Sequence, residues 1–217
     1  MKNTMESLDE KFYELTHVLF PSTGPSVPKV IQFTSCHHLE GVTTVAVAYA
    51  SFLAKTFSTD AVLVLEANPR KPILGKLFRL DVKTGLVNAL MNRVLIESAI
   101  YHVESHQFSA VPAGQLGPIS AAEYERTLFT RMPELVRHLS DMYRCILIDS
   151  PPVIPYVDST LISSCVDGVV IVVEAGATPS EVVDHAINKL KSAQATILGM
   201  VLNKREYFIP KWVYRFI

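Results

Sequence analysis

Short apolar runs alternate along the chain with longer segments of helical periodicity. The apolar runs predict six strands, at residues 29–34, 61–66, 108–112, 144–149, 168–173 and 196–202. The runs at 61–66, 144–149 and 168–173 lack polar alternation, which is typical of strands buried on both faces of a parallel sheet.

The segments between these strands predict the helices. Long helices are predicted at 1–20, Val45 to Phe57, about Ala121 to Met142 and up to about Ala193, with short ones at 84–91 and 94–101. Thr178-Pro-Ser-Glu181 is typical of an N-cap followed by proline at the first helical position. Because strands and helices alternate, we predict an α/β fold with a doubly wound, mostly parallel sheet flanked by helices, and a site at the carboxyl ends of the strands.

The chain divides into four predicted parts. These are an N-terminal helix at 1–20, a proline-rich linker at 21–28, the α/β domain at 29–203 and a basic, aromatic tail at 204–217. The N-terminal helix either caps its own sheet or docks on a neighbouring subunit, and the tail either packs on its own domain or forms an interface.

The loop between the first strand and its helix has the frame of a phosphate-binding loop. In the motif G-x-x-x-x-G-K-[ST], backbone N–H groups cradle phosphates, the lysine reaches the β/γ oxygens and the Ser/Thr hydroxyl holds Mg²⁺. Gly41 takes the position of the second glycine and Thr43 that of the Ser/Thr, with Thr44 next, whereas Val42 stands at the lysine position. The loop therefore keeps the glycine and threonine positions of the motif but lacks its positively charged lysine.

Acidic residues end two of the buried strands. Asp149 follows four apolar or small residues in the Walker B pattern, whose aspartate orients Mg²⁺ or its water; capping of the Ser150-Pro-Pro152 turn is the alternative interpretation. Glu66 ends another strand. Thr34, Glu66, Asp149 and Asn203 all lie at strand ends, so we expect them to converge. The predicted Mg²⁺ ligands are Thr43, Glu66 and Asp149.

Composition narrows the class of protein. The 217 residues suit one α/β domain, and the net charge of -1 argues against a nucleic-acid partner. The three cysteines have no metal-ligand spacing, which fits a reducing compartment. No apolar run reaches about 18 residues and no signal peptide is evident. We therefore expect a cytoplasmic protein that reaches the inner face of the inner membrane, if at all, through a partner.

Taken together, these motifs resemble the bacterial tyrosine kinases (BY-kinases) of polysaccharide export and, more broadly, the MinD- and Par-type ATPases. The family reads V-L-L-I-D-A-D-x-R-K-P where this chain has Val62-Leu-Val-Leu-Glu-Ala-Asn-Pro-Arg-Lys-Pro72. It reads I-I-I-D-T-P-P where the chain has Ile146-Leu-Ile-Asp-Ser-Pro-Pro152. Gly199-Met-Val-Leu-Asn203 also fits.

The resemblance implies a P-loop NTPase-like fold that binds ATP or ADP with Mg²⁺. It implies a nucleotide site made of Gly41, Val42, Thr43, Thr44 and Asn203, and catalytic roles for Asp149 and Asp158 if the protein is active. It also implies phosphorylation of Tyr207 and Tyr214, self-association, and a partner in the cytoplasmic part of an inner-membrane polysaccharide co-polymerase or chain-length regulator.

Departures from the family pattern bear on activity. The Walker lysine is Val42, a loop glycine is Leu39, a second acidic residue is Asn68 and the signature lysine is about His37. One lost charge-assisted contact to phosphate, about 1.5–3 kcal/mol, lowers affinity roughly ten- to a hundredfold. A leucine at a position with positive φ costs about 1–2 kcal/mol, so we expect the loop to have a different shape.

Smaller departures concern the loop and the first helix. We interpret His37 and His38 as mostly neutral loop residues, and Cys36 as a small filler. In the first helix, Tyr13 and Thr16 replace the arginines of the family's oligomerisation segment, which puts ring-like assembly in question.

Three hypotheses for function follow. The first is a degenerate BY-kinase-like protein that acts as a regulatory or scaffold partner in exopolysaccharide or capsule biosynthesis and export, with little or no ATP turnover. The second is an active, atypical protein-tyrosine autokinase or ATPase. The third is a MinD/Par-like positioning protein anchored by its aromatic tail, an idea weakened by Pro210, which interrupts any helix there.

Overall fold

A computed structural model describes residues 12–16, 29–56 and 61–205. Its strands are β1 Val30–Ser35, β2 Val62–Glu66, β3 Tyr101–Val103, β4 Phe108–Val111, β5 Cys145–Asp149, β6 Gly168–Glu174 and β7 Ile197–Asn203. They form one seven-stranded sheet in the order β3-β4-β2-β5-β1-β6-β7. Neighbouring strands are parallel except β3 and β4. The predicted doubly wound, mostly parallel α/β fold is confirmed.

The helices lie on both faces of this sheet. They are α1 Val42–Thr56, α2 Leu74–Leu77, α3 Leu86–Leu90, α4 Ala121–Met142, α5 Asp158–Ser163 and α6 Ser180–Ser192, with a 3₁₀ turn at Ile96–Ala99. Residues 12–16 are also helical. Helix α1 begins three residues before the predicted start, directly after Gly41.

Two details of the predicted secondary structure were wrong. The segment 94–101 is a 3₁₀ turn that leads into β3, because Tyr101–Val103 pairs antiparallel with β4 and this pairing overrides local preference. Helix α6 is capped by Pro179 rather than Thr178, whose hydroxyl donates to the carboxylate of Glu40 instead.

The core sits on the two faces of the sheet because successive strand residues point in opposite directions. Leu147 on β5 belongs to the face covered by α1, where Tyr49 is fully buried. Ile146 and Ile148 belong to the opposite face, which is covered by α4. A third cluster seals β6 beneath α6. Strand β1, between β5 and β6, is buried along its whole length.

The described piece of the N-terminal helix packs on its own domain. Phe12 and Leu15 contact the cluster under α1, the ring centroids of Phe12 and Tyr49 lie 5.7 Å apart, and the hydroxyls of Thr16 and Tyr49 lie 3.1 Å apart. The rest of the predicted helix at 1–20, the linker at 21–28 and most of the tail at 204–217 lie outside the described residues. Among the described helices, none has the length and hydropathy needed to span a bilayer.

Candidate functional site

The loop that joins β1 to α1 bends through two residues with left-handed backbone. Gly41 has φ of 94° and Leu39 has φ of 69°. The expectation that the loop would avoid a positive φ at Leu39 by taking another shape was wrong. Leu39 is 79% exposed, so the strain of about 1–2 kcal/mol is not offset by burial of its side chain.

A buried carboxylate holds the loop from within. Glu40 is only 3% exposed. Its side chain accepts hydrogen bonds from the backbone N–H of His37, at 2.9 Å, and from the hydroxyl of Thr178. The loop is thereby fixed to the turn that precedes α6.

Two residues at the end of β7 hold the loop from outside. The amide nitrogen of Asn203 donates to the carbonyl of Glu40 at 2.8 Å, and it fills the space that a Cβ on Gly41 would need, 2.1 Å away. Lys204 donates to the carbonyl of Leu39 at 2.5 Å and to the carboxylate of Glu174 at 2.9 Å. Asn203 therefore lies at the predicted loop, where its NH2 group donates one hydrogen bond to the loop backbone.

Thr43 and Asp149 are brought together at the first turn of α1. The Thr43 hydroxyl donates to Oδ2 of Asp149 at 2.6 Å. Burial raises the pKa of Asp149 to about 7; the Thr43 hydrogen bond opposes this shift, and the neighbouring Glu66 adds to it. Of the three predicted Mg²⁺ ligands, Thr43 and Asp149 are therefore the two that lie together at the loop.

Glu66 serves a different set of contacts. One carboxylate oxygen accepts from the backbone N–H groups of Ile73 and Leu74, and the other accepts from that of Ala113 at 2.8 Å. Burial raises the pKa of Glu66 despite these hydrogen bonds. Glu66 thus caps α2 and ties it to the loop after β4. A cavity lies beside the phosphate-binding loop, and Glu66 does not line it.

Asp158 is also engaged away from that cavity. It is fully buried and forms an ion pair with Arg70, whose guanidinium lies 4.3 Å from the ring centroid of Tyr156. Thr34, the remaining strand-end residue expected at the site, is buried and donates to the carbonyl of Pro151 at 2.8 Å.

A cavity of about 340 Å³ lies against the loop. Its lining includes Thr43, Asp149, Asn68 and Lys71. The Oδ1 atom of Asn68 is buried and has no hydrogen-bond partner within the described residues. An orphaned acceptor beside the Thr43–Asp149 pair suits Mg²⁺ or one of its waters, since Mg²⁺ prefers oxygen ligands.

The residues at the phosphate-binding positions fit a nucleotide less well than the Thr43–Asp149 pair fits Mg²⁺. Val42 packs, partly buried, against the apolar cluster under α1. His38 lines the cavity, but burial, and then Lys71 and His37, lower its pKa, which favours the neutral form of its ring. Lys71, from the Arg-Lys-Pro motif, is exposed and also lines the cavity. Lys71 was not among the predicted site residues, although it belongs to the Arg-Lys-Pro motif on which the family resemblance rests.

The remaining predicted residues have simpler placements. Thr44 is exposed on the first turn of α1 and lines the cavity. Cys36 is buried, and burial, with a contribution from Glu40, raises the pKa of its thiol to about 11, which suits a filler. Tyr207 and Tyr214 lie outside the described residues.

A mostly parallel sheet with a phosphate-binding-type loop after an inner strand, β1, defines the class as P-loop NTPase-like. The kinase domain of VpsO shares this fold with a TM-score of 0.79 and 26% identity, over 94% of this chain and 98% of that domain. MinD from Pyrococcus horikoshii, solved with Mg-ADP, shares the fold with a TM-score of 0.68 and 20% identity, over 86% of this chain and 76% of MinD.

Sequence comparison finds relatives among tyrosine kinases and an exopolysaccharide transport protein. The chain is 29% identical to the tyrosine-protein kinase CpsD of Streptococcus agalactiae over 178 residues, which is 81% of this chain and 75% of CpsD. It is 26% identical to the succinoglycan biosynthesis transport protein ExoP of Rhizobium meliloti over 181 residues, which is 83% of this chain but 23% of ExoP. No protein-family model matches the chain. Its homologues are bacterial tyrosine kinases associated with capsule and exopolysaccharide, and they are structurally related to MinD-type P-loop ATPases.

Proposed function

We propose that this protein is a regulatory or scaffold component of exopolysaccharide or capsule biosynthesis and export that turns over little or no ATP. The observation that carries the proposal is Val42. It stands where the phosphate-binding lysine would lie, and its side chain packs against the apolar core. Phosphoryl transfer depends on electrostatic stabilisation of the transferring group, so the missing cation removes more from catalysis than from binding.

The proposed partner is the cytoplasmic part of an inner-membrane polysaccharide co-polymerase or chain-length regulator. Support comes from the match to a short stretch of the much longer transport protein ExoP. Through that partner this fold would act at the inner face of the membrane, and it would also self-associate. The net charge of -1 argues against nucleic acid as a partner.

A second candidate is an atypical kinase or ATPase, and the position of Lys71 favours it. Lys71 lines the loop cavity and forms no ion pair or side-chain hydrogen bond within the described part of the chain. It is a cation available to a bound phosphate. Thr43, Asp149 and the orphaned Oδ1 of Asn68 would hold Mg²⁺, which neutralises phosphate charge when bound. Glu66 and Asp158 would contribute only by leaving their present partners.

Calorimetric titration with ADP and ATP, with and without Mg²⁺, tests the two candidates. We expect no binding at micromolar Kd by the wild type and recovered binding by Val42→Lys, because one charged contact changes affinity roughly ten- to a hundredfold. Val42→Met is the matched control, since it lengthens the side chain without adding charge.

An assay of autophosphorylation with Mg-ATP completes the test. Measurable turnover by the wild type would overturn the scaffold proposal. In that case, loss of turnover in Lys71→Met would identify Lys71 as the substitute cation, whereas unchanged turnover would exclude it.

A further inference from the structure

A second and larger cavity, of about 670 Å³, opens at the carboxyl ends of β2 and β4. Its wall includes α2 and the segment that follows it, and its lining includes Pro112 and Gly114 from the loop after β4. Carboxyl ends of parallel strands are where α/β proteins bind ligands, and the volume is that of a small-molecule site. Neither Thr43 nor Asp149 lines this cavity.

The segment that forms the wall is strongly basic. Residues 74–83 contain Lys76, Arg79 and Lys83, with Asp81 as the single acidic residue. The whole chain has a net charge of only -1. Positive charge is thus concentrated on one short segment.

Two of the three cations at this cavity have no ionic partner among the described residues, and the third has only a weak one. Lys76 and Arg79 are exposed, line the cavity and form no ion pair or side-chain hydrogen bond with any described residue. Lys83 has Asp81 at 3.6 Å, but these side chains are 80% and 87% exposed, and such pairs contribute little.

Asn88 and Glu66 are two other polar side chains that line the cavity, and of these two only Asn88 can donate to an anion. Asn88 accepts the backbone N–H of Gly85 through Oδ1 at 3.0 Å, so the group it still offers is its NH2. Glu66 also lines the cavity, but both of its carboxylate oxygens accept backbone N–H groups. Leu80 and Val82 supply an apolar part of the wall.

We propose that this cavity binds the phosphate or diphosphate group of a small ligand through Lys76, Arg79 and Lys83, with the Asn88 amide as a neutral donor. Arginine pairs with phosphate oxygens through two parallel hydrogen bonds, and lysine acts as a point charge. Because this site is concave and two of its cations have no partner among the described residues, it should bind a compact anion in preference to an extended anionic surface. The site is separate from the loop of Val42 and does not depend on nucleotide binding there.

Inorganic pyrophosphate is the probe for the test, which follows backbone amide chemical shifts of the full chain by NMR. We expect saturable shifts at Lys76, Gly114 and Gln115. Lys76→Gln/Arg79→Gln should weaken binding by about a hundredfold, about tenfold for each charged contact. Lys55→Gln/Arg126→Gln, which removes two basic side chains outside this lining, is the matched control and should bind as the wild type does.

The other outcomes overturn the proposal. Shifts confined to Gly41 to Thr44 would place the anion at the loop. Absence of saturable shifts at millimolar pyrophosphate, or undiminished binding by the double variant, would exclude the cavity. Vesicles containing phosphatidylglycerol form the second arm, because a lipid headgroup carries the same phosphate chemistry. Binding to vesicles without binding to pyrophosphate would assign the basic segment to a membrane surface and overturn the small-ligand proposal.

Discussion

Substitution of Asp149 by asparagine should make the protein more stable at alkaline pH than the wild type. Asp149 is buried, and its pKa rises from 3.8 to about 7 on folding, chiefly because burial disfavours the charge. Asparagine has nearly the same shape, cannot ionise and keeps an oxygen that accepts the Thr43 hydroxyl. The variant therefore removes the titration with little disturbance of the packing.

The magnitude follows from the difference between the folded and unfolded pKa. Since the folded pKa is the higher one, the stabilising effect of protonating Asp149 is full below about pH 4 and is lost as the pH rises through about 7. One pKa unit corresponds to about 1.4 kcal/mol, so the complete loss is about 4 kcal/mol. Between about pH 5 and pH 8, the wild type should lose about 2.5 kcal/mol relative to Asp149→Asn.

Urea denaturation at about pH 5 and pH 8, without Mg²⁺, measures this difference. Asp184→Asn, at an exposed aspartate on α6, is the control and should follow the wild type. Parallel pH profiles for the wild type and Asp149→Asn would refute the reasoning, because they would mean that Asp149 ionises as readily in the folded as in the unfolded chain.

Three further predictions concern the loop and the buried ion pair. Leu39→Gly relieves a φ of 69°, so we expect a net gain of up to about 1 kcal/mol in unfolding free energy after the entropy cost of glycine; a lower denaturation midpoint would contradict it. Gly41→Ala places a Cβ 2.1 Å from the amide nitrogen of Asn203 and should cost about 2 kcal/mol or more. In an Asn203→Ala background the cost should shrink by about 0.5–3 kcal/mol, and a strictly additive cycle would exclude the collision. Arg70→Leu leaves the fully buried Asp158 without its ion-pair partner and should cost about 3–5 kcal/mol; an unchanged melting temperature would show that Asp158 is solvated.

The parts that could be predicted from sequence depend on local signals. Apolar runs without polar alternation were enough to predict the buried strands. The carboxyl ends of parallel strands lie at one edge of a sheet, and this rule predicted that Asp149 would lie near the loop. The same rule placed Glu66 at that edge, where it pairs in register with Asp149. It could not anticipate that both oxygens of Glu66 would cap α2 and the loop after β4, because this depends on where the backbone N–H groups of Ile73 and Ala113 arrive.

Contacts between distant parts of the chain account for what was missed. Thr178 serves as a partner of Glu40, 138 residues away, and not as a helix cap. Arg70 is separated from Asp158 by 88 residues. Strand β3 exists because β4 offers it an edge. None of these pairings has a signature within a local window of sequence.

The loop after β1 keeps its shape through contacts made by the protein itself. Glu40, Asn203 and Lys204 fix the loop from its inner and outer sides, so its bend does not depend on a bound phosphate. Selection for the fold and selection for phosphoryl transfer therefore act on different residues. A residue other than lysine at position 42 is therefore compatible with the same loop shape, because none of the contacts that hold the loop is made by that side chain.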